Sequence, residues 1–156
     1  MATEIERKFL VKNDSWKELA DKGTKYSQGY LVGGAQASVR VRIQGDKAFL
    51  NIKSATIGIT RQEFEYEIPL DEAAEMLDTL CDKPLISKTR YHLKNENHLW
   101  EIDVFEGDNK GLVVAEIELS NKEDVFSEPD WLGKEVSDDA RYYNTCLVKH
   151  PFKDWA

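Results

Sequence analysis

The chain has 156 residues, 41% hydrophobic and 32% charged, with a formal net charge of −8, which describes a globular chain with enough apolar residues for one core and excludes a disordered one. No apolar run approaches a membrane span and no signal-peptide core opens the chain. So acidic a chain is also a poor match for general nucleic-acid binding, which rests on neutralising phosphates, although a small polyanion in a concentrated basic pocket stays compatible.

In chain order, alternation predicts a first strand at 3–12, and Asn13 and Asp14 then introduce a helix expected at 14–22. Strands are expected at 26–33, 37–44, 47–54 and 60–69, divided by turn residues such as Gly33-Gly34 and Gly45-Asp46. A second helix is expected at 71–81, with Asp71 as its N-cap and Ala73, Met76, Leu77 and Leu80 on one stripe. Strands at 85–94, 98–105 and 112–120 follow, turning at Asn95-Glu96-Asn97 and at Asp108-Asn109. Residues 121–136, with Pro129-Asp130-Trp131-Leu132-Gly133, read as an ordered loop with a short helical turn. A third helix is expected at 137–148, starting at Ser137 and Asp138 and ending before Pro151. Eight strands in hairpin succession predict a mainly β fold, an antiparallel sheet closed into a barrel with flanking helices, in one domain over 1–156.

Cys81 and Cys146 are far apart and outside any CxxC pattern, which fits reduced, buried thiols in a cytoplasmic protein. His92, His98 and His150 lack zinc-site spacing.

The polar faces of the strands carry the chemistry. Alternation places i and i+2 on one face, about 6.5 Å apart. The first strand presents Glu4, Glu6 and Lys8 on one side and Ile5, Phe9 and Val11 on the other. Later strands present Arg40 and Arg42; Asn51 and Lys53; Arg61, Glu63, Glu65 and Glu67; Lys88, Arg90 and His92; Glu101 and Asp103; and Glu116 and Glu118. Ordinary solvated faces mix the two signs. Here acids pair with acids and bases with bases, strand by strand. The alternative is a barrel turned inside out, whose polar faces converge on a lumen. Basic pairs there would hold a polyanion and acidic pairs a hard divalent cation.

The pattern Glu4-Ile5-Glu6-Arg7-Lys8 resembles the ExExK signature of the CYTH domain, the triphosphate tunnel metalloenzymes. The likeness continues through Arg40-Val41-Arg42, Lys53, Glu63-Phe64-Glu65, Lys88-Thr89-Arg90-Tyr91, Glu101-Ile102-Asp103 and Glu116-Ile117-Glu118. It extends to Trp131–Val136 and Asp139–Asn144, and so covers essentially the whole chain. The resemblance implies an eight-stranded antiparallel tunnel, open to solvent, that takes a triphosphate end-on with Mg²⁺ or Mn²⁺. By position it implies Glu4, Glu6, Glu116 and Glu118 as metal ligands, with Glu63, Glu65 and Asp103 completing the acidic side. It implies Lys8, Arg40, Arg42, Lys53, Lys88 and Arg90 as phosphate-binding residues, with Arg141 either at the tunnel mouth or in a surface or packing role. Lys53, crowded by other cations, is also a candidate to deprotonate the attacking water, with Tyr30 as the partner that the resemblance implies; the alternative is that Lys53 only neutralises phosphate and Tyr30 only packs. Tyr142 and Tyr143 read as packing residues.

The expected activity is hydrolysis of tripolyphosphate to pyrophosphate and phosphate by a monomer or homodimer, with no nucleic-acid or membrane partner. The alternatives are a class IV-type adenylate cyclase, a thiamine triphosphatase, and a non-catalytic polyphosphate- or nucleotide-binding module. The full acidic set weighs against the last, because a pure anion binder gains nothing from so many carboxylates.

Overall fold

A computed structural model describes residues 3–34, 36–55 and 59–155. Its strands in chain order are β1 (Thr3–Val11), β2 (Thr24–Gly33), β3 (Ala37–Gln44), β4 (Lys47–Ser54), β5 (Thr60–Ile68), β6 (Ile86–Asn95), β7 (His98–Phe105), β8 (Val113–Glu118) and β9 (Leu132–Glu135). Two α-helices, α1 (Leu70–Thr79) and α2 (Asn144–Lys149), join them. The sheet order is β5-β4-β3-β2-β6-β7-β8-β1-β9, all pairs antiparallel, and a further β1–β5 pairing closes eight strands into a barrel. That closing seam is short, with Thr3, Glu4 and Ile5 facing Gln62, Arg61 and Thr60. Among the described residues no helix is long and apolar enough to cross a membrane.

The expected strands are all present, and their faces sort as alternation requires. Tight turns set the register: Gln44 pairs with Lys47 around Gly45-Asp46, and Asn95 with His98 around Glu96-Asn97. Gly45 and Glu96 both take positive φ, 61° and 56°, which two-residue hairpin turns demand.

Apolar residues of the barrel are covered from three sides, two of them on outward faces. Phe9, Trp100, Ile102, Ala115 and Ile117 pack under Trp16 and Trp131. Val41 and Ala48 pack under Ala73 and Leu77 of α1. The third cover is unusual, because it lies on lumen-facing positions. Ile86 precedes Lys88 by two residues, Phe105 follows Asp103 by two, and Val114 precedes Glu116 by two. These three pack with Leu147 and Val148 of α2, so the lumen turns apolar where α2 docks.

Three helical expectations change. The helix at 14–22 shrinks to a 3-10 turn at Ser15–Glu18. Asn13 Oδ1 accepts from both the amide and the hydroxyl of Ser15 there, a local bond that competes with helix propagation. The helix at 71–81 runs over Leu70–Thr79 with Pro69 at its N-cap, and Leu80 is exposed. The helix at 137–148 splits into a 3-10 turn at Ala140–Tyr142 and α2, because Tyr143 is extended (φ −72°, ψ 137°). The Tyr143 hydroxyl donates to the Ser137 carbonyl, which fixes the break. The segment read as loop contains β9, which extends the sheet along β1 beyond the point where β5 leaves it.

Candidate active site

The polar faces of the barrel strands converge on one cavity of about 410 Å³. Its lining includes seven carboxylates (Glu4, Glu6, Glu63, Glu65, Glu101, Glu116 and Glu118) and seven cations (Lys8, Arg40, Arg42, Lys53, Arg61, Lys88 and Arg90). The lumen is therefore charged on every side and formally neutral in total.

The cations gather mainly on β3 and β6. The Tyr26 ring lies among three of them, with Arg90 at 4.9 Å, Arg42 at 5.1 Å and Lys88 at 5.9 Å from its centroid. An aromatic face attracts cations and here separates charges that would otherwise repel. Burial, then Arg40 and Arg90, lower the Arg42 pKa to about 10. Burial likewise lowers Lys88 to about 8, against the attraction of Asp103. Among the described residues, the buried Nη2 of Arg40 and Nε of Arg42 have no protein partner.

Asp103 takes a different place from the one expected of a metal ligand. It is 1% exposed and absent from the cavity lining. Its Oδ1 accepts from Arg90 Nε at 2.7 Å, and its Oδ2 accepts from Lys88 Nζ at 2.7 Å and Arg90 Nη2 at 2.9 Å. Both oxygens are spent on aiming two cations. Glu65 is similarly engaged, accepting from Asn51 at 2.7 Å and Arg42 at 3.1 Å.

Four of the remaining carboxylates face one another. Glu6 stands opposite Glu118, and Glu101 opposite Glu116, pairings that cost stability without a counter-ion. Burial, then Glu6, raise the Glu116 pKa; burial, then Glu4, Glu101 and Glu63, raise that of Glu118. Such crowded oxygen donors fit a hard divalent cation. Among the described residues no three His, Cys, Asp or Glu side chains are yet gathered as a metal cage. Instead Arg61 Nη2 lies 3.2 Å from Glu4 and 3.7 Å from Glu6. Burial opposes the charge of Arg61, but Glu6, Glu4 and Glu116 outweigh it and raise its pKa.

Lys53 lies 3.0 Å from Glu63 and 3.5 Å from Glu4. Burial, then Arg40 and Arg61, lower its pKa despite those partners. Lys8 is held by the Tyr142 carbonyl at 3.2 Å, by Glu116 at 3.8 Å and by the Tyr143 ring. Tyr30 lines the cavity while packing against Ile86. Arg141 is not brought to the tunnel: its side chain is 57% exposed, bonded to Asp139 at 2.7 Å and stacked on Trp155. Tyr143, expected only to pack, also lines the cavity. Sequence reasoning placed Glu101 only in an acidic pair with Asp103, and gave no role to Arg61 or Tyr26. Arg61 and Glu101 share a face at i, i+2 spacing with Glu63 and Asp103, a signal that was available, and Tyr26 precedes Tyr30 by four on the same face.

The CYTH domain family matches residues 2–143. An inorganic triphosphatase of Acetivibrio thermocellus is 51% identical over 155 residues, 99% of each chain. One of Nitrosomonas europaea is 38% identical over 150 residues, 94% of this chain and 97% of the relative. A solved structure of an inorganic triphosphatase superposes with a TM-score of 0.66 at 35% identity, covering 95% of each chain. With its eight-stranded closed barrel, its charged lumen and these likenesses, the chain belongs to the CYTH domain family.

Proposed function

We propose that the chain is a divalent-metal-dependent triphosphatase that hydrolyses inorganic tripolyphosphate to pyrophosphate and phosphate. The observation that carries this reading is the lumen itself, in which buried Arg40, Lys88 and Arg90 and half-buried Arg42 share one cavity with crowded carboxylates. The inorganic triphosphatases among its relatives support the substrate.

Phosphoryl transfer leaves the protein mostly positioning and charge neutralisation. The Arg40 and Arg42 guanidinium forks suit bidentate phosphate contacts, and Lys88 and Lys8 act as compact charges. Asp103 aims Lys88 and Arg90 from behind. Glu4, Glu6, Glu116 and Glu118, with Glu63 nearby, would hold Mg²⁺ or Mn²⁺, which when bound supplies Lewis-acid neutralisation of the phosphate oxygens. Water attacks the terminal phosphorus, the bridging P–O bond breaks, and pyrophosphate leaves with the bonding pair. Lys53, its pKa lowered by burial, takes the water's proton, with Tyr30 lining the same cavity.

Phosphate release from tripolyphosphate with Mg²⁺ or Mn²⁺, and its loss in EDTA, is the expected outcome, with ATP and thiamine triphosphate as comparison substrates. Full turnover in excess chelator, or a preference for ATP, overturns the reading. Lys53→Arg keeps the charge but cannot give up its proton. Its kcat should fall by roughly 10²–10⁴, with the alkaline rise in rate flattened. A variant with parental kcat and pH profile would reduce Lys53 to a phosphate-binding charge.

A further inference from the structure

Arg61 differs from the other cations of the lumen. It comes from β5 at the closing seam, directly across from Glu4 of β1. Its guanidinium spans Glu4 and Glu6, with Nη2 3.2 Å from Glu4 Oε1 and 3.7 Å from Glu6 Oε1. The side chain is 26% exposed, against 11% for Arg42 and 10% for Arg90, so it has open space beside it. Asp103 pins Arg90 with two bonds, whereas among the described residues Arg61 makes a single side-chain bond, to Glu4. Of the two carboxylates it neutralises, Glu6 confronts Glu118 across the β1–β8 pair, and the charge of Glu4 also bears on Glu118. A guanidinium and a divalent cation against the same two carboxylates would repel each other strongly in so buried a place.

We infer that Arg61 is a tethered stand-in cation, which occupies Glu4 and Glu6 while the tunnel holds no metal and is displaced from them when a divalent cation enters. The inference rests on the divalent-cation reading above. It makes metal entry an exchange of one cation for another. It also gives Arg61 a positioning role, because its bond to Glu4 and its ion pair with Glu6 hold both on the lumen side before metal arrives.

The test titrates Mn²⁺ alone, without polyphosphate, into the parent, Arg61→Gln and Arg61→Lys by calorimetry, with melting curves in EDTA. Arg61→Gln should bind Mn²⁺ roughly tenfold or more tightly than the parent. It should also melt lower in EDTA and recover on adding Mn²⁺, while Arg61→Lys stays near the parent in affinity. Equal or weaker Mn²⁺ binding by Arg61→Gln overturns the inference and leaves the metal site standing. An absence of Mn²⁺ binding in all three proteins overturns the divalent-cation reading and the inference with it. Crystals of the parent with Mg²⁺ decide independently of whether Arg61→Gln folds. A guanidinium moved off Glu4 supports the exchange, and one still bonded to Glu4 beside a bound ion overturns it.

Discussion

Asp103 touches no part of the cavity, yet it sets the direction of two of its cations. An amide in its place would remove the paired counter-charge of buried Lys88 and leave Arg90 with Glu101 at 3.3 Å. Breaking a buried pair by removing one partner costs about 3–5 kcal/mol, so Asp103→Asn should lose that much in denaturant unfolding at neutral pH. The pH dependence has a definite sign. Burial works to raise the Asp103 carboxyl, but Arg90 and Lys88 outweigh it and hold it well below its ordinary value of 3.8. The unfolded chain therefore binds this proton first, and the stabilisation is present above that value and lost as pH falls beneath it. Glu116 and Glu118 carry the opposite sign, since their folded pKa values are raised above 4.5. Their protonation favours the folded state as pH falls towards that value. Melting curves of the metal-free parent should thus rise slightly from neutral pH to about pH 5 and drop below about pH 4. Asp103→Asn should show a shallower acid limb.

Gly133 shows what a four-residue strand needs. A Cβ there would meet the Leu10 carbonyl oxygen at 2.8 Å and its carbon at 3.1 Å, backbone atoms that cannot turn aside. Gly133→Ala should cost about 1–3 kcal/mol, as overpacking does. It should also raise the KM for the polyphosphate, because β9 leads into the segment that anchors Lys8: the Val136 amide donates to the Lys8 carbonyl, and the Lys8 amide to Ser137 Oγ. A Gly133→Ala protein with parental melting would show that β9 adapts freely. This element was invisible in the sequence for a physical reason. Its pairing lies on β1 at a register shift between Phe9 and Val11, and no local periodicity encodes that. The barrel strands were legible because a period of two over six to ten residues is a strong signal, and it placed Glu4, Arg40, Arg42, Lys88, Arg90 and Glu116 in one lumen. What alternation does not give is depth. Asp103 and Glu101 share a face, but the β6–β7 register sets Asp103 directly against Arg90 and turns it from a candidate ligand into a buttress. The split of the last helix depends on a Tyr143–Ser137 bond, again a tertiary matter.

At the scale of the whole molecule, the charge of −8 resides outside the cavity lining, where seven acids meet seven bases. That balance has a thermodynamic consequence. A polyanion entering alone leaves the interior negative, and a cation entering alone leaves it positive. Only the two together return it towards neutrality. Polyphosphate and metal should therefore bind cooperatively, each raising the other's affinity by the same factor, as reciprocity requires. Couplings of this kind run to about 5–150-fold. Lys53→Arg, which keeps the lumen's charge while slowing turnover, allows the measurement: Mn²⁺ titrated with and without tripolyphosphate. Equal affinities would mean that the balance is struck elsewhere on the molecule. With coupling in that range, free divalent cation does more than take part in the reaction. Its concentration sets how much of the protein holds substrate at all, so the tunnel fills as a function of two concentrations multiplied.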